Sequence, residues 1–252
     1  MPGPASIVRI FFGFIAFAIA TALFFCAALL LFPWRHVRIK LCNVYGKSVG
    51  YTVTRLAGAT PIVRHRERIR DNFPAIYVAN HTSTLDVFLS IWLCPVGGCG
   101  IAKKQITKVP FFGQLYLLSG HLLIDRADRA RAIGAVDEAV QLVKKYRLGI
   151  WIMPEGTRSR DGRLQPFKPG FVHLAVATGL PVVPIVFHGL HRTWQKGSLD
   201  LNRIDVPIDV LPAIETTSWT TKTARAHAEF VHDVVAAALS EDQRPLVVGE
   251  GT

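Results

Sequence analysis

Residues 80 to 86 read NHTSTLD, so a histidine and an aspartate lie five positions apart at the end of an apolar run. A histidine at a strand end can act as a general base near neutral pH, because an unperturbed imidazole has a pKa of about 6.5. A carboxylate hydrogen-bonded to one ring nitrogen leaves the other free to accept a proton from a hydroxyl. His81 and Asp86 are therefore candidate catalytic residues.

The same stretch also resembles the start of a helix. Ser83-Thr84-Leu85-Asp86 fits a capping box, in which the carboxylate would bind the backbone and His81 would have no role. Residues five apart in one helix are about 140° apart around its axis. The pair can meet only if His81 lies in the turn and Asp86 in the first helical turn. No nearby serine or cysteine stands out as a nucleophile, so a catalytic His81 would activate a hydroxyl of a bound acceptor.

Positive side chains follow two other predicted strands. Lys103 and Lys104 lie at the end of one strand, and Arg126 follows another. Lysine offers a point charge and arginine a planar fork, and both suit a phosphate group. The alternative is a solvated basic face over a core helix.

A glycine-containing turn follows a third strand in the stretch MPEGTRSRDGRLQPFKPG. Backbone N–H groups and the guanidinium of Arg158 would form an anion site there, and Glu155 would orient that arginine or contact a substrate hydroxyl. The alternative is a plain surface loop, and it is the preferred interpretation for Arg160 and Arg163.

The elements that position these residues are predicted from hydrophobic spacing. The predicted strands are Ala75–Ala79, Gly100–Lys103, His121–Ile124, Gly149–Met153, Val182–Phe187 and Ile204–Leu211. The predicted helices are Thr84–Leu93, Arg129–Tyr146, Val172–Thr178 and Thr223–Leu239. Their alternation predicts an α/β fold with a mixed, largely parallel sheet flanked by helices. Pro184 predicts an edge strand or a bulge. Residues 61–74 are interpreted as a polar segment that leads into the domain. Ligands usually bind at the carboxyl ends of such strands.

An uncharged segment precedes this pattern. Ile10 to Phe32 would span roughly 34 Å as a helix, against roughly 30 Å of bilayer hydrocarbon. Arg35, Arg38 and Lys40 follow it, and this basic flank predicts that its C-terminal side is cytoplasmic. A cleaved signal peptide would have a shorter apolar region. We therefore expect residues 1–34 to be a single membrane anchor at the cytoplasmic face of the inner or plasma membrane. Whether it spans the bilayer or re-enters one leaflet is left open.

Residues 35–60 mix basic and apolar positions at helical spacing. This pattern predicts a basic amphipathic helix at the lipid interface. An ordinary docking helix of the following domain is an equally good interpretation.

The net charge of +11 favours an anionic partner, and the hydrophobic content of 50% favours a membrane over nucleic acid. No nucleic-acid-binding motif is recognisable. The four cysteines form no CxxC pair and lie near no histidine at zinc-ligand spacing, so we expect reduced thiols. No G-x-S-x-G elbow supports a lipase.

Four ordered blocks between Asn80 and His188 resemble the glycerolipid acyltransferase family of the 1-acyl-glycerol-3-phosphate acyltransferase type. They are NHTSTLD, PFFGQLYLLSGHLLIDR, MPEGTRS and LPVVPIVFHG. Met153 departs from the phenylalanine common in the family, but it is also apolar. The resemblance implies the glycerolipid acyltransferase fold behind an N-terminal membrane helix, with a catalytic domain at residues 61–240 and a tail at 241–252.

The resemblance also implies roles for the candidate residues. His81 would be the general base, Asp86 would orient it, and Arg126 would contact the acceptor phosphate. The remaining expected acceptor-binding residues are Lys103, Lys104, Glu155, Gly156, Thr157 and Arg158.

The activity that the resemblance implies is acylation of the free sn-2 hydroxyl of 1-acyl-glycerol-3-phosphate (lysophosphatidic acid), which gives phosphatidic acid. The expected donor is acyl-CoA or acyl carrier protein, with no cofactor, metal or covalent acyl-enzyme. One alternative is another acceptor: glycerol-3-phosphate, another lysophospholipid or a lyso-aminolipid. Another is a membrane-anchored binding protein with a non-catalytic domain, although His81 and Asp86 are both present.

Overall fold

The computed structural model describes residues 4–110, 112–124, 129–193 and 202–246. Its strands are β1 (Ala59–Arg64), β2 (Ile76–Ala79), β3 (Gly98–Lys103), β4 (Leu122–Ile124), β5 (Gly149–Ile152), β6 (Val182–Phe187) and β7 (Ile204–Val210). Its α-helices are α1 (Pro4–Leu30), α2 (Arg35–Leu56), α3 (Glu67–Asp71), α4 (Leu85–Leu93), α5 (Phe112–Ser119), α6 (Arg129–Tyr146), α7 (Gly170–Thr178) and α8 (Ala224–Ala238).

The strands form one sheet in the order β1-β7-β6-β2-β5-β3-β4. The five strands from β6 to β4 are mutually parallel, whereas β7 runs antiparallel to β6 and β1 runs parallel to β7. The expected mixed, largely parallel sheet is therefore confirmed. Because β1 and β7 are reversed, their amino ends lie at the same edge as the carboxyl ends of the other five strands. We call this edge the carboxyl edge.

Helices cover both faces of the sheet, as the alternation of side chains along β2 shows. Ile76 and Val78 face a core that includes residues of α6, α7 and α8. Tyr77 and Ala79 face the opposite core, which includes residues of α3 and α4. All four side chains are fully buried, so β2 lies at the centre of the molecule and fixes where the chain emerges at the carboxyl edge.

Two expectations about strands were wrong. The edge interpretation of Pro184 was wrong, because β6 lies between β2 and β7. The bulge interpretation agrees with the pairing: Ile185 pairs with Val210 and Val182 with Ile214, so the two residues 183–184 oppose the three residues 211–213. The expected polar lead-in at residues 61–74 contains most of β1 and all of α3.

The N-terminal helices form a hairpin on the domain. The hydroxyl of Thr21 on α1 lies 2.7 Å from that of Tyr45 on α2, and ten residues of α2 are buried. The contacts of α2 are those of a helix that docks on the rest of the protein. That α2 also lies at a lipid interface stays a prediction. Within the described residues, one helical segment, Ile7–Leu30, is long and apolar enough to cross a membrane.

Candidate active site

Three of the candidate stretches emerge side by side at the carboxyl edge. His81 follows β2, residues 153–158 follow the adjacent β5, and Lys103 ends β3, the next strand. Neighbouring strands lie roughly 4.8 Å apart, so the fold brings these segments within reach of one small substrate. Residues 125–128, and with them Arg126, lie outside the described residues directly after β4.

His81 and Asp86 form a hydrogen bond of 2.8 Å between Nδ1 and Oδ2. The carboxylate of Asp86 is fully buried, and 16% of the His81 side chain is exposed. Because a carboxylate accepts, Nδ1 carries the proton and Nε2 keeps its lone pair. Nε2 has no hydrogen-bond partner among the described residues. The imidazole is therefore arranged to accept a proton at Nε2.

Asp86 also fixes the backbone of the turn before α4. Its Oδ2 accepts the N–H of Thr82 and, at 2.7 Å, that of Ser83. The bond to Ser83 is the carboxylate half of the capping box. The two interpretations of NHTSTLD are thus compatible, because a single oxygen binds both the backbone and the imidazole.

Glu155 holds the His81 turn from the side of β5. Its Oε1 accepts the N–H of His81 at 2.6 Å, and its Oε2 accepts the N–H of Gln165 at 3.1 Å. The residue is 2% exposed. Burial raises the pKa of Glu155 to about 8, opposed by the two N–H donors and reinforced by the charge of Asp86. Neither contact involves Arg158, and the expectation that Glu155 orients Arg158 or contacts a substrate hydroxyl stays a prediction.

The turn after β5 forms further bonds to the same region. The N–H of Ser159 donates to the carbonyl of His81 at 2.9 Å. Arg158 is partly buried and donates to the hydroxyl of Thr84 at 2.5 Å. Gly156 has a φ of 75°, a conformation that favours glycine, and Thr157 is exposed. A guanidinium therefore lies beside the residue that immediately precedes α4.

Lys103 and Lys104 are both exposed at the end of β3. β3 is two strands from β2, which corresponds to roughly 10 Å along the sheet. The two lysines share the carboxyl edge with His81. They could contact a group that extends from His81 toward β3.

Several participants in this network were not among the candidate residues, including Asn80, Thr84, Ser159 and Gln165. Asn80 is fully buried; its amide donates to the carbonyl of Phe187 at 3.0 Å and accepts the N–H of Phe187 at 2.8 Å. This pair of bonds extends the β2–β6 ladder to the residue before His81. The sequence signal for Asn80 was its position at a strand end in NHTSTLD, since an asparagine there often forms hydrogen bonds with nearby backbone.

An apolar cavity of about 340 Å³ begins beside Thr84 and continues between α1, α2 and α4. It is lined mainly by apolar side chains, among them Phe14, Phe17, Val53 and Phe88. Such a cavity suits a hydrocarbon chain. In the described parts of the chain, no group of three His, Cys, Asp or Glu side chains is placed to hold a metal ion.

The sequence matches the model of a family described as Acyltransferase over residues 61–188. It is 39% identical over 241 residues to the 1-acyl-sn-glycerol-3-phosphate acyltransferase of Limnanthes douglasii, covering 96% of this chain and 85% of that protein. A protein of the same name from Escherichia coli (strain K12) is 36% identical over 170 residues, covering 66% of this chain and 67% of that protein.

A solved structure has the same fold. It is the crystal structure of the 1-acyl-sn-glycerophosphate (LPA) acyltransferase, PlsC, from Thermotoga maritima, with a TM-score of 0.75 and 22% identity. The match covers 93% of this chain and 92% of that one. Taken with the family match and the identity to relatives over most of its length, these findings show that the chain belongs to the acyltransferase family.

Proposed function

We propose that this chain is an O-acyltransferase that acylates the sn-2 hydroxyl of 1-acyl-glycerol-3-phosphate from a thioester donor, giving phosphatidic acid. The observation that carries the proposal is the hydrogen bond between His81 Nδ1 and the buried Asp86, which leaves Nε2 facing the carboxyl edge with its lone pair. The names of the related proteins support the acceptor.

In the proposed reaction, His81 Nε2 accepts the proton of the acceptor hydroxyl while that oxygen attacks the thioester carbonyl carbon. A C–O ester bond forms and the C–S bond breaks. The leaving thiolate then takes the proton from Nε2, which restores neutral imidazole. The negative charge of Asp86 stabilises the transient imidazolium. A thioester is already activated, so positioning and one base are a sufficient catalytic set.

We assign the acceptor phosphate to the side of His81 that faces β5, β3 and β4. Arg158, Lys103 and Lys104 supply positive charge there, and Arg126 follows β4 in the sequence. The backbone of Gly156 and Thr157 would complete the acceptor turn. For Glu155 we propose a positioning role, since both of its oxygens already accept backbone N–H groups.

We assign the apolar cavity to an acyl chain. Thr84, which lines the cavity, is only three residues after His81. A chain placed there would put its carbonyl near Nε2 while its methylene groups are removed from water. Each buried methylene contributes about 0.8 kcal/mol, which supports binding of a long-chain substrate.

The packing of α1 supports attachment to one leaflet. Near its start, Arg9 Nη1 would lie 3.0 Å from a Cβ at Gly58, and farther along, the rings of Phe17 and Phe88 are 6.0 Å apart. A helix that contacts the domain at several points along its length cannot cross a bilayer away from the domain. We propose that α1 lies along the cytoplasmic surface of the membrane, with its exposed apolar side chains in the lipid.

A transfer assay with a matched variant tests the proposed function. Purified protein in mixed micelles is given labelled oleoyl-CoA or oleoyl-acyl carrier protein, with lysophosphatidic acid, glycerol-3-phosphate and lysophosphatidylcholine as separate acceptors. We expect label in phosphatidic acid, and a rate at least about 10²-fold lower for His81→Ala.

Three results would count against the proposal. Equal rates for the wild type and His81→Ala would exclude the general base. Transfer only to glycerol-3-phosphate or lysophosphatidylcholine would exclude the acceptor. Absence of transfer from either donor to any of these acceptors would exclude the enzyme in favour of a binding protein.

A further inference from the structure

A second cavity, of about 540 Å³, opens at the carboxyl edge on the side of β1 and β7. We call it the arginine cavity. Its polar lining comes from the end of α2, the two strand starts and the first turns of α1: Arg9, Arg55, Thr60, Arg203 and Asp205. Arg9 also lines the apolar cavity, so the two cavities meet at this residue.

The arginine cavity is positively charged, since three guanidinium groups face one carboxylate. Arg55 donates to the neutral hydroxyl of Thr60, and neither Arg55 nor Arg203 has an ion-pair partner among the described residues. Gly58, with a φ of 94°, lies beneath the other two arginines: a Cβ there would meet Arg9 Nη1 at 3.0 Å and Arg203 Cγ at 3.3 Å. Three arginines and one aspartate line the cavity, so its net positive charge favours a bound anion.

The position of the arginine cavity separates it from the proposed acceptor site. β7 and β1 are two and three strands from β2, which is roughly 10 to 14 Å along the sheet. Lys103, Lys104 and Arg158 lie on the other side of β2, toward β3 and β5. His81 therefore lies between two basic groups of residues, and a single phosphate cannot contact both.

We propose that the arginine cavity binds the phosphate groups of the acyl donor. The inference rests on the proposed function, in which both substrates carry phosphate. A donor whose thioester lies at His81 extends a flexible pantetheine arm before its first phosphate, and that arm bridges the distance from β2 to β7. Arginine is suited to this ligand because its planar fork binds phosphate oxygens in pairs.

Steady-state kinetics of Arg55→Gln/Arg203→Gln in detergent micelles tests the assignment. We expect KM for oleoyl-CoA to rise about tenfold or more, because the variant loses charge-assisted hydrogen bonds to the donor phosphates. KM for lysophosphatidic acid should stay unchanged. With S-oleoyl-pantetheine, which has no phosphate, the wild type and the variant should have the same KM.

Matched controls separate local from general effects. Arg70→Gln/Arg225→Gln removes the same charge from exposed positions on α3 and α8 and should leave both KM values unchanged. Arg55→Lys/Arg203→Lys should restore part of the lost donor affinity. Calorimetric titration of CoA into His81→Ala, and into His81→Ala that also carries Arg55→Gln and Arg203→Gln, measures binding without turnover. It therefore tests the cavity even if the wild type transfers no acyl group.

Each of three other outcomes would overturn the proposal. If KM rises for lysophosphatidic acid and not for oleoyl-CoA, the cavity binds the acceptor. If the variant keeps both KM values but co-sediments less than the wild type with phosphatidylglycerol vesicles, relative to phosphatidylcholine vesicles, the cavity binds a lipid headgroup. If CoA titrations of the two His81→Ala proteins coincide, the cavity binds no donor phosphate.

Discussion

Two buried carboxylates hold the backbone around His81. Asp86 binds the turn that follows His81 and the imidazole itself, through one oxygen. Glu155 binds the N–H of His81 and ties it to the segment after β5. The base is therefore positioned from two elements at once, and removing either carboxylate should affect it in a different way.

Asp86→Asn should separate charge from geometry. An asparagine can keep its carbonyl where Oδ2 lies and so retain the bonds to His81, Thr82 and Ser83. Its NH2 then replaces Oδ1, a buried atom with no partner among the described residues. We expect kcat to fall about 10²-fold or more, because the imidazolium loses its counter-charge. We also expect the free energy of unfolding to fall by about 1–3 kcal/mol. An unchanged kcat would show that the charge has no catalytic role.

Glu155→Gln should reveal the raised pKa of this carboxyl group. Folded Glu155 keeps its proton up to about pH 8, whereas its ordinary pKa is 4.5. Between these values the unfolded state binds fewer protons, so this group's contribution to the free energy of unfolding falls as pH rises. The wild type's stability advantage over the variant should therefore be largest near pH 4.5 and decline toward pH 8. Urea unfolding at several pH values measures it, and a pH-independent difference would contradict the assignment.

The residue types in NHTSTLD were enough to suggest a base and its carboxylate, but not to choose between catalysis and capping. The structure shows why: Oδ2 of Asp86 makes both kinds of contact. The contact between Glu155 and His81 could not be predicted, because it joins residues 74 positions apart. That proximity follows from the pairing of β2 with β5, which is not visible in either segment.

At the scale of elements, hydrophobic spacing located the central strands and the long helices to within a residue or two. It missed β1, in which Ala59 is buried, the other five residues are partly or fully exposed, and Pro61 and Arg64 interrupt the apolar pattern. It also could not give the strand order. The order depends on long-range pairing such as that of β1 with β7, which places two reversed strands beside the parallel ones.

The contact between α2 and α4 depends on glycines one helical turn apart. A Cβ at Gly50 would lie 2.3 Å from the carbonyl oxygen of Phe88, and one at Gly46 would lie 2.7 Å from that of Ile91. The two helices can approach this closely only without side chains at these positions. Because α4 directly follows the turn that contains His81, this contact also helps to hold that turn in place.

Matched glycine-to-alanine changes test this packing. Gly50→Ala should lower the free energy of unfolding by about 1–3 kcal/mol, because the methyl group meets backbone that cannot move aside. Gly134→Ala on α6, where nothing lies within 4 Å, should raise it by about 0.5–1 kcal/mol through helix propensity alone. Denaturant midpoints report both effects. Changes of the same sign would refute the proposed close contact.

At the scale of the whole molecule, α1 leaves one apolar side uncovered. Phe12, Ile19, Leu23 and Leu30 recur at helical spacing and are 57–81% exposed. This side forms a continuous stripe along the helix. An exposed stripe of this kind, on a chain with a net charge of +11, favours contact with an anionic lipid surface.

Leu23→Glu should weaken membrane binding without unfolding the domain. Leu23 is 67% exposed. Burying one leucine side chain in lipid contributes about 1.5–3 kcal/mol to the free energy of membrane binding. Without it, partition into phosphatidylcholine vesicles should fall about tenfold or more. Phe230→Glu on α8, also exposed, is the matched control and should bind like the wild type. Vesicle flotation measures both, and equal binding of all three proteins would refute attachment through α1.

The junction of the two cavities at Arg9 has a kinetic consequence. Arg9 lies on the helix proposed to rest in the lipid, and it lines both the apolar cavity and the arginine cavity. A lysolipid can then reach His81 by lateral diffusion, while the phosphate groups of a water-soluble donor bind in the adjoining arginine cavity. The rate would follow the mole fraction of lysolipid in the bilayer rather than its amount per volume. Added inert lipid would slow the enzyme by surface dilution alone.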